Sequence, residues 1–418
     1  MRILFLMLLL SNCFYLGAQD FENNFAWKRV RVKDKFGCVR ENGDTIIKPK
    51  YKTIEPCYDL AEFAVATTAD GRTILVQVGG QEYNYAATFA ELSPKTEAFI
   101  LTEERSLRSV IKKAPNLKIL VFYTQYVSEI PKEIEQLTQL TYLKAMHWGE
   151  LQSLDNILVS IHANIGKLKK LKHLNLDIPN AASIPEEIGK LSSLEDLYLH
   201  TNLEELPKGV MTLKNLKRLV VKGKKMHLPE SMCRLAKLKK LSLYFNKIAK
   251  LSDNFGDLGA LELLDLSQNE LQTLPKSIGK LSNLHTLIVR DNKDFTAFPQ
   301  EFWQCRNLQY LDAYHTNLSI IPSEIGAMRA LKSLNFSLCS ITELPQSLCE
   351  LQQLEYLNIG TSMFEQKTPI DFTCLKNLSV LFTPFDMKKG DIEALAKKMP
   401  QVIMNPEGAN GVWGSEWD

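Results

Sequence analysis

The chain repeats one pattern of hydrophobic positions over most of its length. A leucine is followed by another leucine three residues later and by an apolar residue two positions further on. Twelve such units, the last with Thr383 in place of the apolar residue, succeed one another at intervals of 22 to 24 residues, apart from one interval of 31. Self-similarity of this kind predicts a stack of repeated structural units. The first leucines of the units, which we call the anchors, are Leu117, Leu140, Leu171, Leu194, Leu216, Leu238, Leu261, Leu284, Leu308, Leu331, Leu354 and Leu378.

A second pattern recurs between the anchors, in which Leu, Ile or Phe is followed by proline. Its fullest copy runs from Leu274 to Leu281 and reads Leu-Pro-Lys-Ser-Ile-Gly-Lys-Leu. Proline ends extended structure, and its fixed φ suits the start of a helical turn. Each copy therefore predicts a short helical or 3-10 turn on the side of the unit opposite the strand. Shorter copies occur at Ile184-Pro185, Leu206-Pro207, Leu228-Pro229, Phe298-Pro299, Ile321-Pro322 and Leu344-Pro345.

The leucine pattern predicts a short strand whose alternate side chains point into a shared core. The residues three and five positions after each anchor are predicted to be buried, because successive side chains of a strand face opposite sides. Neighbouring units bury each other's apolar side, so stability accumulates along the stack. Eight residues after four anchors stands an asparagine whose amide is predicted to bond backbone groups that the strand leaves unpaired. These are Asn202, Asn246, Asn269 and Asn292, with Cys339 in the same position of another unit.

Residues 98–404 resemble the leucine-rich-repeat family in its 23-residue form, which carries the Leu-Pro-x-x-Ile-Gly-x-Leu segment. The resemblance implies an α/β solenoid shaped as a horseshoe, with a parallel β-sheet on its concave face and short helical or 3-10 turns on its convex face. We call the positions two, four and six residues after each anchor the concave face. The family implies binding of a protein or other ligand on this face far more often than chemistry.

Residues 19–95 are predicted to form a small β module. Short alternating apolar runs are separated by Asn42-Gly43, Asp70-Gly71 and Gly79-Gly80, which are turn pairs typical of hairpins. Residues 35–51 are similar to the WG-repeat family of bacterial exported proteins, with Phe36 in place of the family's tryptophan. This resemblance implies an accessory β module without a defined activity.

The repeat array is interrupted once and then ends in a different pattern. The segment from Gln152 to Asn164 adds about eight residues to one coil and predicts a surface loop, either a tolerated insertion or a partner contact. Residues 392–396 and 400–403 predict a helix and a final strand that cap the array. The predicted leucine-rich-repeat domain is therefore 96–404, and residues 405–418 are predicted to be a flexible tail.

Residues 1–18 are predicted to be a secretory signal peptide. Arg2 supplies the positive charge, the apolar run ending at Leu10 is too short to span a bilayer, and small residues precede a cut after Ala18. The alternative is a lipoprotein attached through Cys13, in a sequence that resembles a lipobox except at Asn12. No later stretch reaches the roughly 18 apolar residues of a membrane helix. We therefore expect a secreted, periplasmic or cell-surface protein without a transmembrane segment.

The concave face of the middle units is predicted to bind a protein or peptide. Tyrosine and arginine combine a large contact area with directional hydrogen bonds, and they dominate binding hot spots. The alternative is that these residues only keep an exposed strand face soluble and well formed. The candidate contacts are Tyr198, His200, Arg218, Lys222, Lys240, Tyr244, Asp265, Arg290, Tyr310, Asp312 and Tyr314.

Charge changes this picture in one segment. The whole chain has 50 Lys and Arg against 48 Asp and Glu, but Lys208–Lys250 contains thirteen cations and one acid, Glu230. Stacked strands are expected to bring Arg218, Lys222 and Lys240 together, in a field that attracts an acidic protein, an anionic glycan or lipopolysaccharide. A solvated lysine face is the competing interpretation. Aromatic residues for base stacking are sparse here, so no nucleic acid partner is predicted.

Catalytic and metal-binding patterns are not found in the sequence. The seven histidines are scattered over six of the units, and there is no His-x-x-x-His pair, Gly-x-Ser-x-Gly turn or phosphate-binding glycine loop. His173 and His200 are expected at opposite ends of neighbouring strands, which argues against a shared metal ion or a catalytic dyad. We therefore predict a non-catalytic protein without a cofactor or metal.

Cysteine usage does not indicate a dense disulfide framework. Seven cysteines follow the predicted signal peptide, and none are spaced as Cys-x-x-Cys. Bridges from Cys349 to Cys374 and from Cys38 to Cys57 are open alternatives, but core-filling thiols are favoured.

Overall fold

The computed structural model describes residues 27–40, 44–56, 63–146, 160–181, 183–360, 371–383 and 387–405. Several predicted features lie outside the described residues: the signal peptide with Cys13, the turn at Asn42-Gly43, Cys57, most of the insertion after Gln152, and the tail beyond residue 405. Within the described ranges, no helix is both long and apolar enough to cross a membrane.

The chain forms two compact units that divide between Gly223 and Lys224. The helix of the first unit, α1, spans Leu107–Lys113. The strands of this unit are β1 Trp27–Val32, β2 Lys35–Arg40, β3 Thr45–Tyr51, β4 Thr53–Pro56, β5 Phe63–Thr67, β6 Thr73–Gln77, β7 Glu82–Ala86, β8 Ala98–Leu101, β9 Ile119–Tyr123, β10 Glu129–Ile130, β11 Tyr142–Met146, β12 Ser160–Ile161, β13 His173–Asp177, β14 Asp196–His200 and β15 Arg218–Lys222. Its 3-10 segments are Phe89–Glu91, Lys132–Gln136, Ala163–Lys167, Glu186–Lys190 and Lys208–Thr212.

Strand pairing in the first unit changes from antiparallel to parallel at β7. Strands β1, β2 and β3 form one antiparallel sheet, and β4 to β7 pair antiparallel in sequence order. The hairpin turns at Asp70-Gly71 and Gly79-Gly80 lie where they were predicted, with all three glycines at positive φ. From β7 onward the pairs β7-β8, β8-β9, β9-β11, β11-β13, β13-β14 and β14-β15 are parallel. The position of the domain boundary at residue 95 stays a prediction.

The second unit has a helix, α2, at Lys389–Lys398 and shorter strands. Its strands are β16 Lys240–Ser242, β17 Leu263–Asp265, β18 Thr286–Ile288, β19 Tyr310–Asp312, β20 Ser333–Asn335, β21 Tyr356–Asn358, β22 Val380–Phe382 and β23 Ile403–Met404, all parallel to their neighbours. Its 3-10 segments are Glu230–Arg234, Phe255–Asp257, Lys276–Lys280, Gln300–Gln304, Ser323–Ala327, Gln346–Glu350 and Phe372–Cys374.

The predicted core positions are confirmed in both units. Every anchor leucine is at most 1% exposed, and the residues three and five positions after each anchor are buried as well. The structure also has a coil that the leucine count missed, because β8 pairs with β9 and buries Phe99 and Leu101 without a leucine anchor.

In the second unit the chain leaves five of the described strands, β16 to β20, through a residue in the left-handed backbone conformation. Phe245, Gln268, Asp291, His315 and Leu338, each seven residues after an anchor, have φ between 53° and 59°. This conformation costs a non-glycine residue roughly 1–2 kcal/mol. Backbone hydrogen bonds to the next coil help to offset that cost, since every one of these five N–H groups donates to a carbonyl there.

The predicted asparagine ladder follows directly after these left-handed residues. Nδ2 of Asn269 donates to the carbonyls of Leu243 at 2.8 Å and Leu266 at 2.9 Å, and its Oδ1 accepts from the amides of Asn246 and Ile248. Asn246 and Asn292 are buried in the same position. Cys339 also occupies it, and its thiol lies 3.1 Å from the carbonyl of Ala313. The amide therefore pairs backbone groups that burial would otherwise leave unsatisfied.

The prediction for Asn202 is wrong. The first unit's strands β13, β14 and β15 run on for five residues, and the described residues between 142 and 223 include none at positive φ. Without the left-handed step the chain does not turn the eighth residue inward. Thr201 is the buried residue here, and its Oγ1 accepts from the amide of Leu203 at 3.2 Å.

The proline-containing pattern forms 3-10 turns as predicted, and glycine keeps successive turns close. Seven of these turns begin directly after the prolines named in the sequence, from Pro185 to Pro345. A Cβ placed on Gly279 would lie 2.2 Å from the carbonyl oxygen of Glu301 in the next turn. Glycine therefore allows a backbone contact that no other residue permits.

A disulfide joins Cys349 to Cys374 near the C-terminal helix and strand, with 5.3 Å between the Cα atoms. The preference for free thiols is therefore wrong for this pair, because two successive turns bring their cysteines within bonding distance. It is confirmed for Cys38, which is free and buried and therefore does not bridge to Cys57. Cys233, Cys305 and Cys339 are likewise free and buried.

We predict that Gly279→Ala lowers the free energy of unfolding by about 2 kcal/mol, because the turn that contains Glu301 must move away. Gly259→Ala is the matched control, since a Cβ there has no neighbour within 4 Å. Urea unfolding followed by circular dichroism measures both variants. Equal stability of the two would contradict the close approach of successive turns.

We also predict that the Cys349→Ser/Cys374→Ser variant loses about 3 kcal/mol of stability in the C-terminal coils, since the bridge closes a segment with a sequence separation of 25. Added reductant should bring the wild type to the stability of this variant and leave the variant unchanged. A non-reducing peptide map that lacks the linked pair would refute the bridge.

Candidate functional site

The predicted contact residues are divided between the two units. Tyr198, His200, Arg218 and Lys222 lie in the unit that ends at Gly223, and Lys240, Tyr244, Asp265, Arg290, Tyr310, Asp312 and Tyr314 lie in the unit that begins at Lys224. The expected meeting of Lys222 with Lys240 stays a prediction.

The strand ends of the first unit carry a row of charged side chains. Asp177, His200 and Lys222 lie side by side on β13, β14 and β15. Nδ1 of His200 is 2.7 Å from Oδ1 of Asp177. Burial lowers the pKa of Lys222, and the charge of Asp177 opposes that shift. Lys222 is therefore a half-buried member of a polar row and not a freely solvated cation.

A second row crosses the beginnings of the same strands. Arg218 donates from Nε and Nη2 to Oδ2 of Asp196 at 2.8 and 2.7 Å, and Nδ1 of His173 lies 3.6 Å from the same oxygen. Burial alone would raise the pKa of Asp196, but these two partners lower it overall. His173 and His200 lie at opposite ends of neighbouring strands, as predicted.

Between these rows, Lys144, Asn175 and Tyr198 occupy neighbouring positions at the centre of the sheet. All three are buried, with exposed fractions of 5 to 9%. Sequence reasoning did not select Lys144, although its place four residues after an anchor puts it on the concave face. The first unit therefore presents a polar surface on which charged side chains of neighbouring strands contact one another.

The basic segment Lys208–Lys250 is partly neutralised by acids that precede or follow it in the sequence. Lys217 contacts Glu195 at 2.6 Å and Arg218 contacts Asp196, both within the first unit. In the second unit Lys239 contacts Glu262 at 2.7 Å and Lys250 contacts Asp253 at 3.2 Å. The local charge is thus smaller than a count along the sequence indicates.

In the second unit, the fourth residue after the anchor often holds the turn that ends the strand. A side-chain oxygen of Asp265, Asp312, Asn335 and Asn358 accepts a hydrogen bond, at 3.0 to 3.1 Å, from the amide two residues later. Aspartate and asparagine do this equally well, because each offers an acceptor oxygen at the same place.

Asp265 and Asp312 differ in what their second oxygen contacts. Oδ2 of Asp265 accepts from Oγ of Ser242 at 2.8 Å. Oδ1 of Asp312 accepts from Nδ2 of Asn335 at 3.0 Å, whereas its Oδ2 is buried and accepts no hydrogen bond from the described residues. Burial raises the pKa of both carboxyl groups, that of Asp312 to about 6.

Arg290 lies on the coil between those two acids and is held by its neighbours. Its Nε donates to Oδ2 of Asp291 at 3.3 Å, and its guanidinium carbon is 5.1 Å from the centre of the Tyr314 ring. The charge of Arg290 lowers the pKa of both Asp265 and Asp312, against the larger effect of burial. One cation is thereby shared among three carboxylates.

Asp291 and His315 extend this group and were missed by sequence reasoning. Nδ1 of His315 lies 2.8 Å from Oδ1 of Asp291, on the adjacent coil. Both residues stand seven positions after an anchor, and the alternation of a strand would not place that position beside the concave face. The left-handed backbone brings it there, and the recurrence of polar residues at this position was the only signal available.

Exposure differs strongly among the predicted contacts. Tyr198, Tyr244, Asp265 and Asp312 are buried, so the expectation of an open strand face is wrong for these four. Side chains in equivalent positions stack about 4.8 Å apart, and each is covered by its neighbours on adjacent strands. Lys240 is exposed, and the other six are partly exposed: His200, Arg218, Lys222, Arg290, Tyr310 and Tyr314.

The described side chains are suited to hydrogen bonds, ion pairs and aromatic contacts with a ligand. Among them, no group of three or more His, Cys, Asp or Glu residues is placed to hold a metal ion. His173, His200 and His315 each contact one carboxylate of an adjacent coil.

Comparison with known proteins identifies the repeats. Residues 150–246 match the leucine-rich repeat region family, and residues 236–293 match the leucine rich repeat family. The chain is similar to the human volume-regulated anion channel subunit LRRC8B, with 31% identity over 243 residues, which are 56% of this chain and 29% of that protein. The chain thus spans less than a third of the length of this relative.

Solved structures agree with this assignment. A leucine-rich-repeat protein of Leptospira interrogans superimposes with a TM-score of 0.56 at 25% identity, covering 75% of this chain and 90% of that one. An internalin of Listeria monocytogenes, at 18% identity, shares the fold with a TM-score of 0.53 and covers 72% of this chain and 90% of its own. With its repeated anchors, parallel strands and 3-10 turns, the chain carries leucine-rich repeats and has the α/β solenoid fold of leucine-rich-repeat proteins.

Proposed function

We propose that this protein is an exported, non-catalytic binding protein that recognises a protein or peptide through its concave face. The observation that supports this most is the group formed by Arg290, Tyr310, Asp312 and Tyr314 in the second unit. It combines partly exposed aromatic rings with charged groups that adjacent coils hold in place.

Preorganisation is the physical reason to place the contact there. Binding must immobilise side chains, at a cost of about 0.5–1.5 kcal/mol for each flexible one. Arg290 is already fixed by Asp291 and Tyr314, and the coil of Tyr314 is fixed through Asp312. These residues therefore lose little freedom when a ligand arrives, and Tyr and Arg are frequent anchors of interfaces.

The family supports binding in general terms. Leucine-rich-repeat proteins usually bind other proteins, and their fold is typically a non-catalytic scaffold. Export rests on the predicted signal peptide alone, with the periplasm, cell surface and exterior as its destinations. We expect neither a cofactor nor a nucleic acid partner.

Recognition of a polyanion, glycan or lipopolysaccharide through Lys208–Lys250 is the second candidate. The exposed side chains of Lys224, Lys225 and Lys240 favour it. The ion pairs of Lys217 and Arg218 weigh against it, because those charges are already compensated. We therefore rank this function below binding at the concave face.

We predict that Arg290→Ala/Tyr310→Ala reduces capture of the partner at least tenfold, because a preorganised cation and a partly exposed aromatic ring are removed. The bait is the chain from residue 19 onward, presented to envelope and extracellular extracts at low and high salt, with captured proteins identified by mass spectrometry. Arg306→Ala, an exposed change next to the 3-10 turn of the same coil, is the matched control. Capture that is unchanged in the double variant would contradict the proposal.

We predict that Lys222→Glu leaves retention on heparin resin nearly unchanged, whereas Lys240→Glu weakens it. Lys222 is half-buried within a row of polar side chains, and Lys240 is exposed. Elution salt concentration is the measurement. A large loss of retention in both variants would favour the polyanion function instead.

A further inference from the structure

In the second unit, the fourth residue after the anchor can be compared between coils. The comparison shows whether the turn at the end of the strand requires a charged side chain there. In four coils the fourth residue after the anchor accepts a bond from the amide two residues later. Two of these coils use asparagine, at Asn335 and Asn358. A negative charge is therefore not needed for this turn, and the charge of Asp312 calls for another explanation.

The surroundings of Asp312 leave its charge only partly compensated. Arg290 is the cation that acts on it, and the same Arg290 contacts Asp291 and acts on Asp265. Asp265 and Asp291 both oppose ionisation of Asp312. Oδ2 of Asp312 is buried without a hydrogen bond from the described residues. A buried carboxylate oxygen without a donor destabilises the protein, and it favours the arrival of a hydrogen-bond donor.

Two tyrosines flank this carboxylate on the same coil. Tyr310, Asp312 and Tyr314 alternate along the chain, so their side chains share the concave face. Both tyrosines are partly exposed, while Asp312 lies deeper. Aromatic faces attract ammonium and guanidinium groups and also pack against their aliphatic stems.

We propose that Asp312, between Tyr310 and Tyr314, receives a cationic side chain of the ligand, the ammonium of a lysine or the guanidinium of an arginine. This inference rests on the proposed binding function of the concave face and names the chemistry of one ligand residue. The ligand cation donates to Oδ2 of Asp312, and its stem contacts the tyrosine rings. Because Oδ2 is closed to solvent, a flanking side chain must turn aside as the cation enters.

The proposed site makes binding dependent on pH. Burial raises the pKa of Asp312 to about 6, so its carboxyl is mostly protonated at pH 5 and mostly ionised at pH 7.5. A bound cation favours the ionised form, and affinity should therefore fall about tenfold between pH 7.5 and pH 5. The other charged groups that face this site are Asp265, Arg290, Asp291 and His315, so the dependence on Asp312 must be isolated with a variant.

The probes are four capped pentapeptides, acetyl-Gly-Gly-X-Gly-Gly-amide, in which X is arginine, lysine, norleucine or glutamate. Their affinities for the chain from residue 19 onward are measured by calorimetry or NMR titration at pH 7.5 and pH 5. Asp312→Asn removes the charge but keeps the acceptor for the Tyr314 amide, as Asn335 does in the next coil. Asp257→Asn is the matched control, because it removes an exposed carboxylate from a 3-10 turn of the same unit, outside the concave face.

The expected result is that the arginine and lysine peptides bind the wild type and Asp257→Asn equally well. They should bind Asp312→Asn at least tenfold more weakly, and that weaker binding should show no further loss at pH 5. The norleucine and glutamate peptides should bind all three proteins weakly. Equal binding of the arginine peptide to Asp312→Asn, equal binding of the norleucine peptide to the wild type, or no binding of either cationic peptide would overturn the proposal. If Arg290→Ala/Tyr310→Ala still abolishes partner capture in that case, the binding function stands and only the cation site fails.

Discussion

The structure depends on one constraint: each coil has an apolar side and several backbone groups that only the next coil can cover and bond. The anchor leucines meet the first need, since none is more than 1% exposed. Asn269 meets the second by pairing backbone groups of two coils at once. Gly279 shows how close the coils must come, because even a methyl group there would collide with the following turn. Stability is therefore a property of neighbouring coils and not of any coil alone.

The same constraint arranges the residues that can meet a ligand. Parallel strands in register place equivalent positions of successive coils in columns about 4.8 Å apart. Side chains in a column touch, so each polar residue is first a partner of its neighbours. Arg218 with Asp196 and His200 with Asp177 are such pairs. The concave face is thus a network of mutually fixed groups, which lowers the entropic cost of binding and limits how many charges remain available.

Prediction from the sequence was most successful where a single residue type meets one local structural requirement. Buried leucines, proline-initiated turns and the ladder at Asn246, Asn269 and Asn292 follow from period and side-chain chemistry alone. It failed where the path of the backbone determines which way a side chain points. Asn202 has the right spacing, but its coil lacks the left-handed step, and Asp291 reaches the concave side only because its own coil has that step. Spacing likewise could not show that Cys349 and Cys374 stack closely enough to bond.

Internal repetition also offers a comparison within one chain that a unique fold does not. When the same position forms the same turn in several coils, a residue with a property that the turn does not need, such as a charge, is the informative one. Asn335 and Asn358 show that an amide oxygen is enough to end the strand, so the turn does not explain a carboxylate at Asp312. Asp265 has a local reason for its second oxygen in Ser242, and Asp312 has no equivalent among the described residues. Burial raises the pKa of Asp312, and its Oδ2 accepts no hydrogen bond from the described residues, so ionising this carboxyl works against stability. Such a cost is most readily maintained where a ligand is bound.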